Sequence, residues 1–151
     1  CAGEVIAVSE DVDDLKPGDR VACGGQGASH AGVVSVLRNL CVKIPDEVSY
    51  EAACYTTLGA IAMQGLRQAE LSFGETVVVI GLGIVGQLAC AISKAAGCVT
   101  IGIDLDDHHV EMARKHTATH AFNRNAPGLT ETIRTLTGGF GADAVIMIRD
   151  E

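Results

Sequence analysis

The sequence predicts an α/β protein in which a partial doubly wound parallel sheet follows a short β-rich segment. Beyond residue 70, short apolar runs rich in β-branched residues alternate with segments of helical period, which is the pattern of βαβ units. A glycine-rich turn joins the first of these runs to a helix. The first 45 residues instead hold closely spaced short apolar runs separated by glycine and proline, which is typical of part of a small barrel.

The β-rich segment is predicted to form four short strands. These strands cover residues 5–8, 21–23, 33–37 and 41–44. Pro45 ends the segment, and a helical period follows with Ser49 as its predicted N-cap. Gly59 and Gly65 lie inside this helical period, so its continuity is left open.

The stretch from Glu75 to Asp104 reads as strand, glycine turn, helix, strand and acidic residue. Residues 77–80 and 99–103 are apolar runs that predict buried parallel strands. Between them lies the spacing G-x-G-x-x-G, followed by apolar residues at i, i+3, i+4 and i+7 from Val85, one face of a helix. This succession is the fingerprint of a dinucleotide-binding Rossmann unit.

Each part of the fingerprint has a physical task. Gly81 permits the tight turn, Gly83 lets a pyrophosphate approach the backbone, and Gly86 lets the helix pack close to the strand. The helix start offers unpaired N–H groups to phosphate oxygens. The carboxylate of Asp104 can accept hydrogen bonds from a ribose 2′-hydroxyl and would repel a 2′-phosphate, which favours NAD over NADP. The predicted cofactor-binding residues are Gly81, Leu82, Gly83, Ile84, Val85, Gly86, Asp104 and Leu105.

The chain continues the same alternation after Asp104. Asp106 or Asp107 caps a predicted helix that reaches His116, and short strands are predicted at residues 121–122 and 144–148. A further helix over residues 129–136 lies between these strands.

The alternative to cofactor binding is a glycine-rich turn in a parallel α/β protein that binds no dinucleotide.

Composition narrows the class of partner. A hydrophobic content of 48% with 20% charged residues indicates a globular protein, and the net charge of −8 argues against nucleic acid and anionic membrane surfaces. The apolar stretch over residues 77–92 is too short and too broken by glycine to span a membrane. Six cysteines without zinc-knuckle spacing and no visible signal peptide favour a reducing cytoplasm, and the expected partner is a small-molecule substrate.

Five segments, spread over essentially the whole chain, support a family resemblance. They are AGEVIAVSEDVDDLKPGDRV from residue 2, HAGVVSV from residue 30, VKIPDEVSYEAA from residue 42, the glycine turn, and GFGADAVI from residue 139. On these segments the chain resembles the medium-chain dehydrogenase/reductase superfamily, which includes zinc alcohol, sorbitol and threonine dehydrogenases. More narrowly, it is similar to the dehydrogenase half of two-domain bacterial oxidoreductases.

The resemblance implies a domain organisation. Residues 1–50 would be the C-terminal part of a chaperonin-10-like catalytic domain, residues 51–69 a connecting helix, and residues 70–151 the first part of an NAD-binding Rossmann domain. We therefore expect a fragment of a longer protein, itself inactive, whose parent can form homo-oligomers.

The resemblance also indicates where the zinc chemistry of this family would lie. One set of zinc ligands would precede residue 1, and the four-cysteine zinc lobe expected after Val21 is absent. Thr57 stands where zinc enzymes have a later cysteine ligand, and a threonine hydroxyl is a poor zinc ligand. No metal ligand is therefore predicted within this chain, and zinc in the parent is left open. Cys54 would substitute only if the local chain path differed.

Thr57 is instead the one candidate catalytic residue, as a hydrogen-bond donor to a substrate carbonyl. The alternative is a helix threonine bonded to its own backbone. The leading hypothesis is an NAD-dependent oxidoreductase that transfers hydride between nicotinamide and an alcohol or carbonyl of the sugar or polyol class. The alternatives are a dinucleotide-binding module without turnover and a zinc-independent quinone or enoyl reductase.

Overall fold

The computed structural model describes residues 1–148; the predicted second domain extends three residues beyond them. The chain divides into two compact units, the first spanning Cys1–Thr57 and the second beginning at Leu58. The predicted domain limits at residues 50 and 70 lie on either side of this division, and the domain assignment stays a prediction.

The first unit contains a three-stranded antiparallel sheet in the order β1-β2-β3. Its strands are β1 (Ala2–Glu4), β2 (Arg20–Cys23) and β3 (Cys41–Lys43). Because side chains alternate along a strand, Val21 and Cys23 pack on one face with Leu15, while Ala22 packs on the other. Each face of β2 therefore has its own small apolar cluster.

Two of the four strands predicted for this segment are wrong. Residues 5–8 and 33–37 form no strand, and the first strand lies earlier, at Ala2–Glu4. Val33 and Leu37 are each 70% exposed, and Ile6 is exposed as well. These β-branched runs have the composition of strands but do not build a ladder. Val5 still pairs with the chain ahead of β2, its N–H donating to the Asp19 carbonyl oxygen at 2.9 Å and its carbonyl oxygen accepting from the Gly18 N–H at 2.9 Å, but no strand continues beyond it.

The predicted helix after Ser49 is two helices. Ser49 caps α1 (Tyr50–Ala53), its hydroxyl oxygen accepting a hydrogen bond from the Ala52 N–H at 3.2 Å. The chain then turns at residues 54–55, and α2 (Thr56–Gln68) runs through both glycines without interruption. The discontinuity therefore lies ahead of Gly59 and Gly65 and not at either of them.

The second unit is the predicted α/β part. Its strands β4 (Thr76–Ile80), β5 (Val99–Asp104), β6 (His120–Asn123) and β7 (Ala144–Met147) are all parallel and lie in the order β6-β5-β4-β7. The connecting helices are α3 (Ile84–Ala95), α4 (Asp107–Met112, continued by a π-helical turn over Ala113–Thr117) and α5 (Leu129–Leu136). The predicted partial doubly wound sheet is confirmed.

Apolar clusters cover both faces of this sheet. Val77 and Val79 of β4 are fully buried on the face that α3 covers. Val78 of β4 points the other way, into a cluster with residues of α5 that include Ile133. The chain reverses its direction of sheet growth between β4 and β7, and the carboxyl ends of the strands at such a switch point form a crevice.

Candidate functional site

The glycine turn leaves the carboxyl end of β4, at the switch point of the sheet. Gly81 has a φ of +95°, a backbone conformation that an L side chain rarely adopts. A Cβ on Gly81 would also overlap the backbone carbonyl oxygen of Ile148. Gly81 is therefore required both for the backbone turn and for the close approach of the chain that follows β7.

Gly86 is buried in the first turn of α3. A Cβ on Gly86 would overlap the carbonyl oxygen of Gly81, and the next nearest side chain is that of Val79 on β4. The helix therefore lies against the turn at a distance that only glycine allows, whereas the strand predicted to require this glycine is at ordinary van der Waals distance.

Gly83 differs from the two glycines that flank it. It is the N-cap residue of α3 with an ordinary φ of −63°, and a Cβ built there would meet no atom within 4 Å. No side chain of the described residues caps this helix, so its first N–H groups have no side-chain partner there. Neither the backbone conformation of the turn nor the packing of α3 therefore requires a glycine at position 83.

The other predicted residues of the turn divide by side-chain position. Leu82 is completely buried, and its Cδ2 would lie 2.9 Å from a Cβ on Gly102 of β5. Ile84 is exposed at the start of α3, and Val85 is half-buried against the core. Leu82 therefore offers a ligand neither its side chain nor its backbone, since its N–H is bonded to Asp104 and its carbonyl oxygen to Gln87. Ile84 and Val85 present side chains.

Asp104 ends β5 and is bonded to the glycine turn. Its Oδ2 accepts a hydrogen bond from the Leu82 N–H at 2.5 Å, and its Oδ1 accepts one from the Asp106 N–H at 2.8 Å. The Nδ1 of His109 lies 3.6 Å from Oδ2. Burial acts to raise the pKa of Asp104, but the hydrogen bonds from Asp106 and Leu82 and the charge of His109 hold that pKa below its usual value.

Leu105 follows Asp104 with an exposed side chain. Its carbonyl oxygen accepts a hydrogen bond from the Asn123 amide at 2.9 Å, which joins the end of β5 to the end of β6. Asp106, one of the two predicted caps, is the N-cap of α4 and accepts a hydrogen bond from the His108 N–H.

Gln87 is a residue of this site that the sequence analysis missed. Its amide nitrogen donates to the carbonyl oxygens of Leu82 at 3.1 Å and His109 at 3.0 Å. Its amide oxygen accepts from the Thr117 hydroxyl at 2.5 Å. Gln87 therefore joins the glycine turn to α4, and the signal that could have revealed it is a single amide directly after Gly86 in an apolar helix.

An apolar recess of about 330 Å³ lies beside the first turn of α3. Val85 forms one wall, residues 146–148 at the end of β7 form another, and α2 contributes Ile61, Ala62 and Gly65. The recess and the glycine turn share the carboxyl edge of the sheet.

Thr57 lies in the first unit, where its hydroxyl donates a hydrogen bond to the Cys23 carbonyl oxygen at 3.3 Å. This bond is to β2, not to the backbone of its own helix. The Cys54 thiol is exposed and donates to the carbonyl oxygen of Glu51 at 3.0 Å.

Within residues 1–148, no three histidine, cysteine, aspartate or glutamate side chains come close enough together to hold a metal ion. Over the same residues, no helix has both the length and the apolar character needed to cross a membrane.

Comparison with known proteins agrees with this geometry. A family of zinc-binding dehydrogenases matches residues 85–148. The D-guloside 3-dehydrogenase of Escherichia coli (strain K12) is 37% identical over 147 residues, covering 95% of this chain and 41% of that protein. The sorbitol dehydrogenase of Bacillus subtilis (strain 168) is 31% identical over 172 residues, covering 95% of this chain and 49% of that protein. The chain thus spans less than half the length of these curated relatives.

The fold comparison gives the same result. The crystal structure of Escherichia coli quinone oxidoreductase complexed with NADPH superimposes with a TM-score of 0.73 at 29% identity, covering 91% of this chain and 44% of that chain. Fold and glycine turn together define a Rossmann-type α/β protein. Within that class, the chain belongs to the medium-chain dehydrogenase/reductase superfamily. The narrower resemblance to two-domain bacterial oxidoreductases stays a prediction.

Proposed function

We propose that this chain binds NAD at the glycine turn as part of an oxidoreductase that transfers hydride between nicotinamide and an alcohol or carbonyl. The observation on which the proposal rests is the position of Asp104. Its carboxylate is bonded to the turn through Leu82, one residue from the open backbone of Gly83. Such an arrangement brings a hydrogen-bond acceptor for the ribose close to the backbone that would bind the pyrophosphate, at the carboxyl ends of two neighbouring strands.

The open space at Gly83 fits a pyrophosphate. The N–H groups of the first turn of α3 have no side-chain cap, and the helix dipole gives this end a partial positive charge. Phosphate oxygens would accept hydrogen bonds from these groups, and the missing side chain of Gly83 would allow the contact.

Asp104 fits an unphosphorylated ribose. Each of its carboxylate oxygens accepts one backbone hydrogen bond, and a carboxylate oxygen can accept a second. Its side chain is 15% exposed, which leaves an edge for a 2′-hydroxyl donor. The lowered pKa keeps the group ionised at neutral pH, so a 2′-phosphate would meet a negative charge.

The bound cofactor supplies the hydride chemistry, and the protein supplies binding and orientation. The recess beside Val85 is lined mainly by apolar side chains, which suits the uncharged dihydropyridine ring of NADH. The described residues do not fit a zinc site, and we derive no step through a metal. Thr57 as a donor to the substrate carbonyl stays a prediction, since its hydroxyl already donates to Cys23.

The relatives support a substrate of the sugar or polyol class, because one acts on a guloside and another on sorbitol by name. A second candidate is zinc-independent reduction of a quinone. The likeness to a quinone oxidoreductase that holds NADPH supports it, whereas the charge of Asp104 is unfavourable to NADPH.

Titration of the chain with NADH and with NADPH, followed by nicotinamide fluorescence, tests the proposal. We expect NADH to bind at least about tenfold more tightly, a difference of about 1.4 kcal/mol. Equal affinities, or tighter binding of NADPH, would contradict the NAD assignment. The full-length protein is then assayed with polyols and NAD and with quinones and NADPH. Tight NADH binding without turnover in either assay would indicate a binding module.

A further inference from the structure

Two cysteines face each other across β2 and β3. The register pairs Cys23 directly with Cys41, and their Sγ atoms lie 3.5 Å apart. We propose that Cys23 and Cys41 are a modification site at which a small disulfide oxidant converts the two thiols into a cross-strand disulfide. This inference concerns the first unit and does not depend on cofactor binding.

The strand register places the two cysteines at positions suited to a disulfide. The Gly24 N–H donates to the Leu40 carbonyl oxygen at 3.0 Å, so the residues on either side of the cysteine pair, not the cysteines themselves, are hydrogen-bonded. At such non-hydrogen-bonded positions the Cα atoms approach to about 4.5 Å. A disulfide spans Cα distances of about 4.4–6.8 Å.

The two thiols differ in accessibility, which sets the order of reaction. Cys41 is partly exposed, whereas Cys23 is 7% exposed and packs against Leu15 and Val21. Burial, and then the hydrogen bond with Cys41, raises the pKa of Cys23 to about 11. Cys41 is therefore the thiol that meets the oxidant, and Cys23 is the thiol that resolves the adduct.

The chemistry balances with glutathione disulfide as the oxidant. The Cys41 sulfur attacks one glutathione sulfur, forming a mixed disulfide and releasing one glutathione thiolate, which takes the Cys41 proton. The Cys23 sulfur then attacks the Cys41 Sγ and releases the second glutathione, which takes the Cys23 proton. Two protein thiols are oxidised to one disulfide, and one small disulfide is reduced to two thiols.

The test is non-reducing peptide mapping after oxidation of the folded chain with glutathione disulfide. Trypsin cuts after Arg20, Arg38 and Lys43, so the two cysteines fall in separate peptides, residues 21–38 and residues 39–43. We expect the two peptides to be joined by a disulfide and to separate on reduction. We also expect both cysteines to become resistant to alkylation by iodoacetamide to the same extent as the chain is oxidised. A persistent glutathione adduct on Cys41, or linkage of the 21–38 peptide to any other cysteine, would overturn the proposal.

Variants test the order of reaction. Cys23→Ser should accumulate the Cys41 adduct, and Cys41→Ser should leave Cys23 unmodified. Cys54→Ser is the matched control, because Cys54 is exposed and its thiol donates to a backbone carbonyl in its own turn. This variant should give the joined peptide as the unaltered chain does. The same oxidation in denaturant should lose the selectivity, since the register then no longer selects the pair.

Discussion

At the scale of single residues, the carboxylate of Asp104 would serve two partners in the proposed function. It accepts a hydrogen bond from the Leu82 N–H of the glycine turn, and its remaining lone pairs would accept one from a ribose hydroxyl. A substitution at Asp104 therefore changes the shape of the turn as well as its charge. The affinity for NADH alone reports both effects together. The ratio of the affinities for NADH and NADPH reports the effect of the Asp104 charge, because the shape of the turn affects both nucleotides alike.

We expect Asp104→Ser to weaken NADH binding and to reduce the preference for NADH over NADPH by about tenfold, or about 1.4 kcal/mol. The physical reason is that serine can still accept a hydrogen bond but brings no negative charge near a 2′-phosphate. Fluorescence titration with both nucleotides measures the ratio.

Asp106→Asn is the control for this substitution. It removes the same unit of charge two residues away, and asparagine caps a helix as well as aspartate does. The ratio should stay near that of the unaltered chain. If Asp106→Asn changed the ratio as much as Asp104→Ser, the preference would arise from general charge and not from Asp104.

At the scale of the element, the three glycines of the turn have separate roles. Gly81 and Gly86 are required by the packing of the protein itself, and Gly83 is not. The G-x-G-x-x-G spacing alone assigns these roles only by analogy with other Rossmann units. Because the space around Gly83 is open, a substitution there, unlike one at Gly81 or Gly86, can change nucleotide affinity with little effect on protein stability.

Gly83→Ala should therefore lower the thermal unfolding midpoint only slightly, because alanine is a poorer N-cap than glycine but its methyl group meets no protein atom. It should lose NADH affinity, because that methyl group projects into the space that a pyrophosphate would occupy. Gly86→Ala should lower the midpoint, because its methyl group would overlap the Gly81 carbonyl. Calorimetry and titration of both variants give the comparison. Normal NADH affinity in a folded Gly83→Ala protein would place the pyrophosphate elsewhere.

Gln87 hydrogen-bonds α3 to α4, whose apolar side chains also pack together in the core. We expect Gln87→Leu to lower the free energy of unfolding by about 1–3 kcal/mol, because two carbonyl oxygens and the Thr117 hydroxyl lose their partner. Urea denaturation of Gln87→Leu, Thr117→Val and the double variant measures the coupling. Additive effects of the two single changes would show that the 2.5 Å bond between these side chains contributes nothing.

At the scale of the whole molecule, Asp104 makes stability depend on pH. A carboxyl whose folded-state pKa is lowered stabilises the protein above its ordinary pKa of 3.8, and that contribution is lost as the pH falls through the lower folded-state value. The difference in unfolding free energy between the unaltered chain and Asp104→Asn should therefore be largest near pH 7 and shrink toward about pH 3. Urea denaturation at both pH values checks this; a difference that did not change would contradict it.

The parallel part of the fold was predictable because its signals are local. β4, the glycine turn, α3 and β5 lie within one stretch of sequence in which period, spacing and terminal acid agree. Residues 5–8 and 33–37 were predicted wrongly because strand formation depends on a partner strand that composition does not reveal.

The candidate site shows the same limit. The place of Asp104 at the end of β5 follows from the sequence, but its bond to Leu82 depends on how β4 and β5 align in three dimensions. The hydroxyl of Thr57 likewise meets a carbonyl 34 residues away, which a helical pattern does not indicate. Long-range hydrogen bonds of single side chains leave no periodic signal.

The close approach of Ile148 to Gly81 has a consequence for the order of folding. The strands that bring these residues together, β4 and β7, pair Val77 with Ala144 and so close a long loop of chain. The turn therefore cannot reach its final shape as fast as structures built from contacts that are local in sequence. Its final shape waits for the last strand of the described sheet to dock, so competence to hold a nucleotide should emerge late in folding, after β4, α3 and β5 have already assembled.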